Sequence, residues 1–147
     1  MFTHILVPVD GSAEAAKALE VAAVLAQAGD AQLTLLHVAA SREVPDSMKR
    51  FIESEHLLDS DRAAFAVVGE RILQDAVEQV QDHTLAKLES ELDEGDPATR
   101  ILAFAKENAV DCIVMGSRGL GLLKGMLMGS VSYKVNHLAH CSVILVR

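Results

Sequence analysis

The stretch His4-Ile-Leu-Val-Pro-Val9 is a short, almost uninterrupted apolar run, and Asp10-Gly11-Ser12 follows it directly. Continuous apolar runs of this length are typical of parallel strands that are covered on both faces. The turn residues end the strand, and Ser12 is the expected N-cap of a helix that continues to Gly29, its expected C-cap. A strand, a turn and a helix in this order indicate the first unit of an α/β fold.

The same alternation runs through the rest of the chain. Apolar runs predict three more strands, at 32–38, 112–115 and 143–146. Helical periodicity predicts three more helices, one from Ser60, one opened by Asp96-Pro97 and one around 131–138.

Two stretches are harder to assign. At 88–93 leucine and serine alternate with acids, which favours a weak third strand with a charged face, although the tail of the preceding helix is the alternative. Residues 40–59 predict a loop or a short helix.

The order of elements predicts one α/β domain over residues 1–147, with a five-stranded parallel sheet and helices on both faces. Right-handed crossovers make 3-2-1-4-5 the simplest strand order, which is a Rossmann-like arrangement. Its winding reverses between strands 1 and 4, and ligands bind beyond the carboxyl ends of the strands at such a reversal. The predicted binding edge therefore carries Asp10-Gly11-Ser12 and the loop that begins at Gly116.

Charge and composition limit the classes of partner. The net charge of −8 argues against nucleic acid as the main partner. The segment 112–147 has no acid and four cations, which suggests a locally bound anion, although chance gives the same pattern. Acids and a lysine interrupt the Ala-rich stretch 13–28, so we expect no membrane span, and two unpaired cysteines favour a reducing, cytoplasmic location.

The glycine-rich stretch 116–130 reads Gly116-Ser-Arg-Gly-Leu-Gly-Leu-Leu-Lys-Gly-Met-Leu-Met-Gly-Ser130. Glycines allow backbone N–H groups to approach a phosphate, and Ser130, the expected helix cap, opens a helix whose N-terminus attracts anions. Arg118 and Lys124 add positive charge. The loop therefore favours a phosphate site, and the alternative is that its glycines only permit turns. It fits neither a Walker A motif nor a dinucleotide fingerprint, which needs a later acid to hold a ribose.

The spacing Gly116-x2-Gly119-x9-Gly129-Ser130 resembles the G-2x-G-9x-G-[S/T] signature of ATP-binding members of the universal stress protein family. The chain is similar to that family at other landmarks too, which are Ile5–Ser12, Leu33–Val38, Gly95–Pro97, Ile113–Gly119 and Gly129–Ser132. One departure is Ser142, where the family usually has proline after a cysteine. The resemblance implies the fold of the adenine-nucleotide alpha-hydrolases and a site for ATP, AMP or another adenine nucleotide, with Mg²⁺ beside the phosphates.

The same resemblance implies which residues form the site. Pro8, Val9 and Asp10 would meet adenine and ribose, and Val38 would border the adenine. The remaining expected cofactor-binding residues, which hold ribose and phosphates or complete the lining, are Met115, Gly116, Arg118, Gly119, Gly129, Ser130, Val131 and Ser132.

No catalytic set is evident, because Asp10 is the only carboxylate expected near the loop. A metal at His137 and His140 lacks a third ligand, and neither Cys112 nor Cys141 has an activating partner. We therefore expect an ATP-binding sensor or regulator. The alternatives are a slow ATPase or autophosphorylating enzyme, and a structural dimer module without ligand. The apolar edge strand Val143–Val146 and the resemblance both predict a homodimer.

Overall fold

The computed structural model describes residues 1–40, 57–119 and 128–147, and of residues 57–61 it describes the backbone alone. Strands and helices alternate along these ranges. In chain order they are β1 His4–Pro8, α1 Ala13–Gly29, β2 Gln32–Ala40, α2 Leu57–Gln79, β3 Lys87–Gly95, α3 Pro97–Glu107, β4 Cys112–Gly116, α4 Ser130–Leu138 and β5 Ser142–Val146.

All five strands lie parallel in one sheet of order β3-β2-β1-β4-β5, which confirms the predicted fold and strand order. The central strand β1 pairs with β2 and β4, so that Ile5 lies opposite Leu33 on one side and Cys112 on the other. The winding reverses between β1 and β4, and the loops after these two strands leave the sheet side by side.

The core has two layers because side chains alternate across the sheet. Ile5 and Val7 face α1 and α2, together with Leu33 and Leu35 of β2. On the other face, Leu6 and its neighbours pack against α3 and α4; the main members are Leu36, Ile101, Ile113, Met115 and Val135. Leu6 and Ile5 are fully buried, which makes β1 the centre of both layers.

The N-terminal end of α1 confirms the prediction and its C-terminal end does not. The Ser12 hydroxyl accepts a hydrogen bond from Ala15 N at 3.1 Å, so Ser12 is the N-cap. Gly29, however, is the last helical residue, and Asp30 takes the left-handed conformation at φ 53°. Aspartate tolerates this region better than most residues. Gly29 instead lies close to Met1, whose Cγ would be 3.1 Å from a Cβ at this position.

The two ambiguous stretches resolve differently. Residues 87–95 form the edge strand β3, paired with β2 along its whole length, so the alternative of a helix tail is wrong. Helix α2 begins at Leu57, before the Ser60 start that the sequence predicts, and Ala40 belongs to β2. The rest of the predicted loop, 41–56, lies outside the described residues. No helix within the described ranges is long and apolar enough to cross a membrane.

Candidate functional site

A cleft of about 440 Å³ opens at the carboxyl edge of the sheet, where β1, β2 and β4 end. The structure brings all twelve sequence-predicted residues to its lining: Pro8, Val9, Asp10, Val38, Met115, Gly116, Arg118, Gly119, Gly129, Ser130, Val131 and Ser132. The two loops singled out by topology and by the glycine spacing therefore form one site. Lys124, the other cation of the glycine-rich stretch, lies outside the described residues.

Several lining residues were not predicted. His37 lines the cleft from β2, and Phe65, Val68 and Ile72 form an apolar wall on α2. The sequence indicates these three as one face of an amphipathic helix, but it does not indicate which cleft the face borders. Pro97 and Ile101 of α3 close the opposite side.

The loop after β1 is held in a defined course by main-chain and side-chain bonds. Val9 N donates to Leu36 O at 2.9 Å, and Ser12 N donates to Asp10 Oδ1 at 2.9 Å. Gly11 has φ 82°, a conformation that favours glycine. These restraints fix the Asp10 carboxylate on the lining of the cleft.

The Asp10 carboxylate contacts the second loop. A Cβ built on Gly119 would lie 2.6 Å from Asp10 Oδ2, which is closer than a side chain can come. The glycine thus lets the loop after β4 pass directly over the carboxylate. Gly119, the second glycine of the signature, therefore joins the two halves of the site.

Ser117 connects the loop after β4 to its surroundings through its main chain. Its N–H donates to Val146 O at 2.8 Å, and its carbonyl oxygen accepts from Gly129 N at 2.8 Å. The buried Ser132 hydroxyl lies 3.0 Å from Gly116 O and 3.1 Å from Ser117 O, so it donates to this turn. The Ser132 hydroxyl thus holds the loop after β4 in place.

The N-terminus of α4 opens at the cleft. Gly129 is the N-cap, without a side-chain hydrogen bond, and the exposed Ser130 is the first helical residue, so the expectation that Ser130 itself caps the helix is wrong. The first hydrogen bond of the helix runs from Tyr133 N to Gly129 O. The N–H groups of residues 130–132 precede it and point toward the open end, where the helix dipole is positive.

The charged side chains of the described lining are Arg118 and Asp10. No group of three His, Cys, Asp or Glu residues that could hold a metal occurs within 1–40, 57–119 and 128–147. Burial raises the pKa of Cys112 to about 11, with Cys141 and Asp111 adding to the effect, so this thiol stays protonated at neutral pH. The described lining thus offers one guanidinium, one carboxylate and apolar surface to a ligand.

The sequence matches the model of the universal stress protein family over residues 1–147. It is 41% identical over 149 residues to universal stress protein YxiE of Bacillus subtilis, with all of both chains covered. Among solved structures, universal stress protein UspA from Lactobacillus plantarum has 30% identity and a TM-score of 0.77, covering 99% of this chain and 98% of that one.

Three similar structures of lower identity were solved as nucleotide complexes. At identities below 25%, their likeness to this chain shows its fold alone. One is a universal stress protein with cAMP (22% identity, TM-score 0.72, 99% and 97% covered). The second, from Archaeoglobus fulgidus, contains dAMP (20%, 0.70, 100% and 98%). The third, from Arabidopsis thaliana, contains AMP (23%, 0.68, 98% and 90%). On the match over its full length and on its curated relatives, the chain belongs to the universal stress protein family.

Proposed function

We propose that the protein is a regulatory module that binds an adenine nucleotide, preferentially ATP, in the cleft at the carboxyl edge of its sheet. The observation that carries the proposal is the convergence of the loops after β1 and β4 with the N-terminus of α4 on one cleft. Complexes of other universal stress proteins with AMP, dAMP and cAMP support an adenine nucleotide as the ligand class.

The two ends of the cleft suit the two ends of such a ligand. Val38, Ile101 and Met115 offer apolar surface for the base, between β2, α3 and β4. At the other end, the glycines, the first N–H groups of α4 and Arg118 offer donors for phosphate oxygens. In this arrangement Asp10, below Gly119, stands where a ribose hydroxyl would be held.

Magnesium would accompany the phosphates as part of the bound nucleotide. The chain's own contribution would be the Asp10 carboxylate, directly or through water, because Mg²⁺ in nucleotide sites takes most of its ligands from phosphate and water. This fits a site whose described residues include one lining carboxylate and no cluster of three metal-binding side chains.

Hydrolysis of the bound ATP should be slow or absent, which makes a sensor the better description than an enzyme. Asp10 already accepts from Ser12 N, and the described lining has no second carboxylate to activate a water. A magnesium-dependent turnover of roughly 1 per second or more would favour the alternative of an ATPase. That turnover would have to disappear in a variant of the phosphate loop.

Gly129→Val tests the proposed site. Its conformation of φ −71° and ψ 156° is open to any residue, so valine should leave the fold intact, while its side chain would stand where phosphate oxygens approach the Cα. Saturating ATP should stabilise the natural chain by about 2–4 kcal/mol at 100 to 1,000 times the dissociation constant, and Gly129→Val not at all. Ala28→Val, an exposed change on α1, is the matched control and should respond like the natural chain.

Stabilisation by a series of nucleotides tests which ligand the cleft prefers. ATP should stabilise the protein more than AMP, while NADH and flavins should not stabilise it. If Gly129→Val keeps the natural affinity for ATP, the phosphate site lies elsewhere and the glycines serve only the loop.

Two free cysteines, one of them buried, suit the reducing cytoplasm in which we place this function.

A further inference from the structure

The side chain of His37 extends the pairing of β1 and β2 past the end of β1. The last main-chain bond between these strands runs from Val9 N to Leu36 O at 2.9 Å. The next residue of β2, His37, places its imidazole Nδ1 2.7 Å from Val9 O. The ring thus bonds to the Val9 carbonyl, which lies just past the last main-chain bond between β1 and β2.

The partner defines the tautomer of this histidine. A carbonyl oxygen only accepts hydrogen bonds, so Nδ1 carries the proton and donates it to Val9 O. In the neutral ring Nε2 is then the unprotonated nitrogen. Of the natural side chains, asparagine can present an N–H at the position of Nδ1, whereas glutamine reaches the position of Nε2.

Helix α2 holds the ring from the other side. A Cβ on Gly69 would lie 2.8 Å from His37 Cδ2 and 2.7 Å from Leu92 Cδ1, so the helix backbone approaches the imidazole closely at this point. The ring is therefore fixed between the loop after β1 and a glycine of α2. It lies on the lining of the cleft.

We propose that His37 is a positioning residue of the nucleotide site, acting through the Val9 carbonyl. The peptide that follows this carbonyl leads to Asp10, whose carboxylate lies against Gly119 of the second loop. The bond from His37 therefore sets the course of the loop that carries Asp10. This proposal rests on the proposed function for its effect on affinity and on the hydrogen bond alone for its effect on the loop.

Paired substitutions separate the hydrogen bond from the bulk of the ring. His37→Gln removes the donor at the Nδ1 position while keeping a polar side chain of comparable length, and His37→Asn keeps the donor while losing volume. We expect His37→Gln to weaken ATP binding about five- to tenfold, as loss of one ordinary hydrogen bond would, and His37→Asn to stay within about twofold of the natural chain. His140→Gln, an exposed change away from the cleft, should have no effect. Calorimetric titration with MgATP gives these affinities.

Two measurements without nucleotide keep the inference independent of the proposed function. Nitrogen-15 spectra of the natural chain should show a protonated Nδ1 and an unprotonated Nε2 for His37. Amide exchange at Asp10 and Gly119 should accelerate in His37→Gln and not in His37→Asn. An Nε2–H tautomer, or equal behaviour of the two variants, overturns the inference. If instead the natural chain shows no affinity for ATP while the exchange pattern holds, the proposed function fails and the positioning of the loop stands.

Discussion

A methyl group on Gly119 would meet Asp10 Oδ2 at 2.6 Å, whereas one on Gly116 would meet Arg118 O and Glu14 Cβ at 2.9 Å. The first contact is with the end of a side chain, which can rotate away at the cost of its bond to Ser12 N. The second is with backbone and with the base of a helical side chain, which cannot move alone. Gly119 and Gly116 are therefore needed for different reasons, although they belong to one motif.

We expect Gly119→Ala to weaken ATP binding more than it destabilises the fold, because it displaces the carboxylate beneath the ligand. Gly116→Ala should instead lower the free energy of unfolding by about 1–3 kcal/mol, the usual result of overpacking a filled site. Denaturant unfolding and titration with MgATP on both variants separate the two effects. A stable Gly116→Ala protein or a destabilised Gly119→Ala protein would contradict this reading of the contacts.

The sequence predicts residues of the site where local spacing carries the information, and misses those that depend on tertiary contact. The glycines and Ser130 follow from the signature and from the helix that Ser130 opens. The use of the Ser132 hydroxyl cannot be predicted, because its acceptors, Gly116 O and Ser117 O, lie on the preceding strand end. The role of His37 is hidden in the same way, since a histidine within an apolar strand gives no sign of its partner.

Helix α3 is stabilised at its N-terminus by a charged cap. Asp96 Oδ2 accepts from Thr99 N at 3.0 Å and from Thr99 Oγ1 at 2.6 Å. The bond from the Thr99 hydroxyl, then that from its N–H, lowers the pKa of Asp96 below its ordinary value of 3.8, with Lys134 contributing. Pro97 at the start of the helix agrees with this cap, and both features were predicted from the sequence.

We expect Asp96→Ala to lower the free energy of unfolding by about 1 kcal/mol near neutral pH, and Asp96→Asn to lose less, because asparagine also caps helices. A carboxyl with a lowered pKa stabilises the fold above its ordinary pKa and loses this effect as the pH falls through the lowered value. The difference between the natural chain and Asp96→Ala should therefore stay constant from about pH 7 to about pH 5 and shrink as the pH falls below the ordinary value of 3.8. Urea unfolding across this range measures it, and a difference independent of pH would argue against a carboxylate cap.

At the scale of elements, the sequence is informative where pattern and cap agree. Alternation at 88–93 predicts β3 because the strand lies at the sheet edge, where one face is only partly covered. Glycine misleads at the end of α1, since Asp30 rather than Gly29 adopts the left-handed turn. The start of α2 was placed too late because the apolar periodicity begins inside the helix.

For the molecule as a whole, the site follows from topology. Parallel strands that reverse their winding between β1 and β4 leave two loops adjacent at one edge, although more than a hundred residues separate them in sequence. The covering helices lie on both faces, so the cleft at this edge is bordered by α2 on one side and by α3 and α4 on the other. Chain order and handedness were sufficient to predict this edge before any side chain was placed.

Strand β5, the last strand of the sheet, predicts how two copies of the chain assemble. Strand β5 lies at the sheet edge with half-buried apolar side chains, and Ser142 N and Val146 O bond toward the β4 side. The N–H groups of successive residues in a parallel strand point alternately to its two sides. The N–H of Val143 therefore points to the open edge, and that of Ile144 points to β4.

We expect a dimer at micromolar concentration by light scattering. Val143→Pro should give a folded monomer, because proline removes an outward donor, whereas Ile144→Pro should unfold β5 itself. A natural chain that is monomeric, or a Val143→Pro variant that remains a dimer, would rule out pairing through β5.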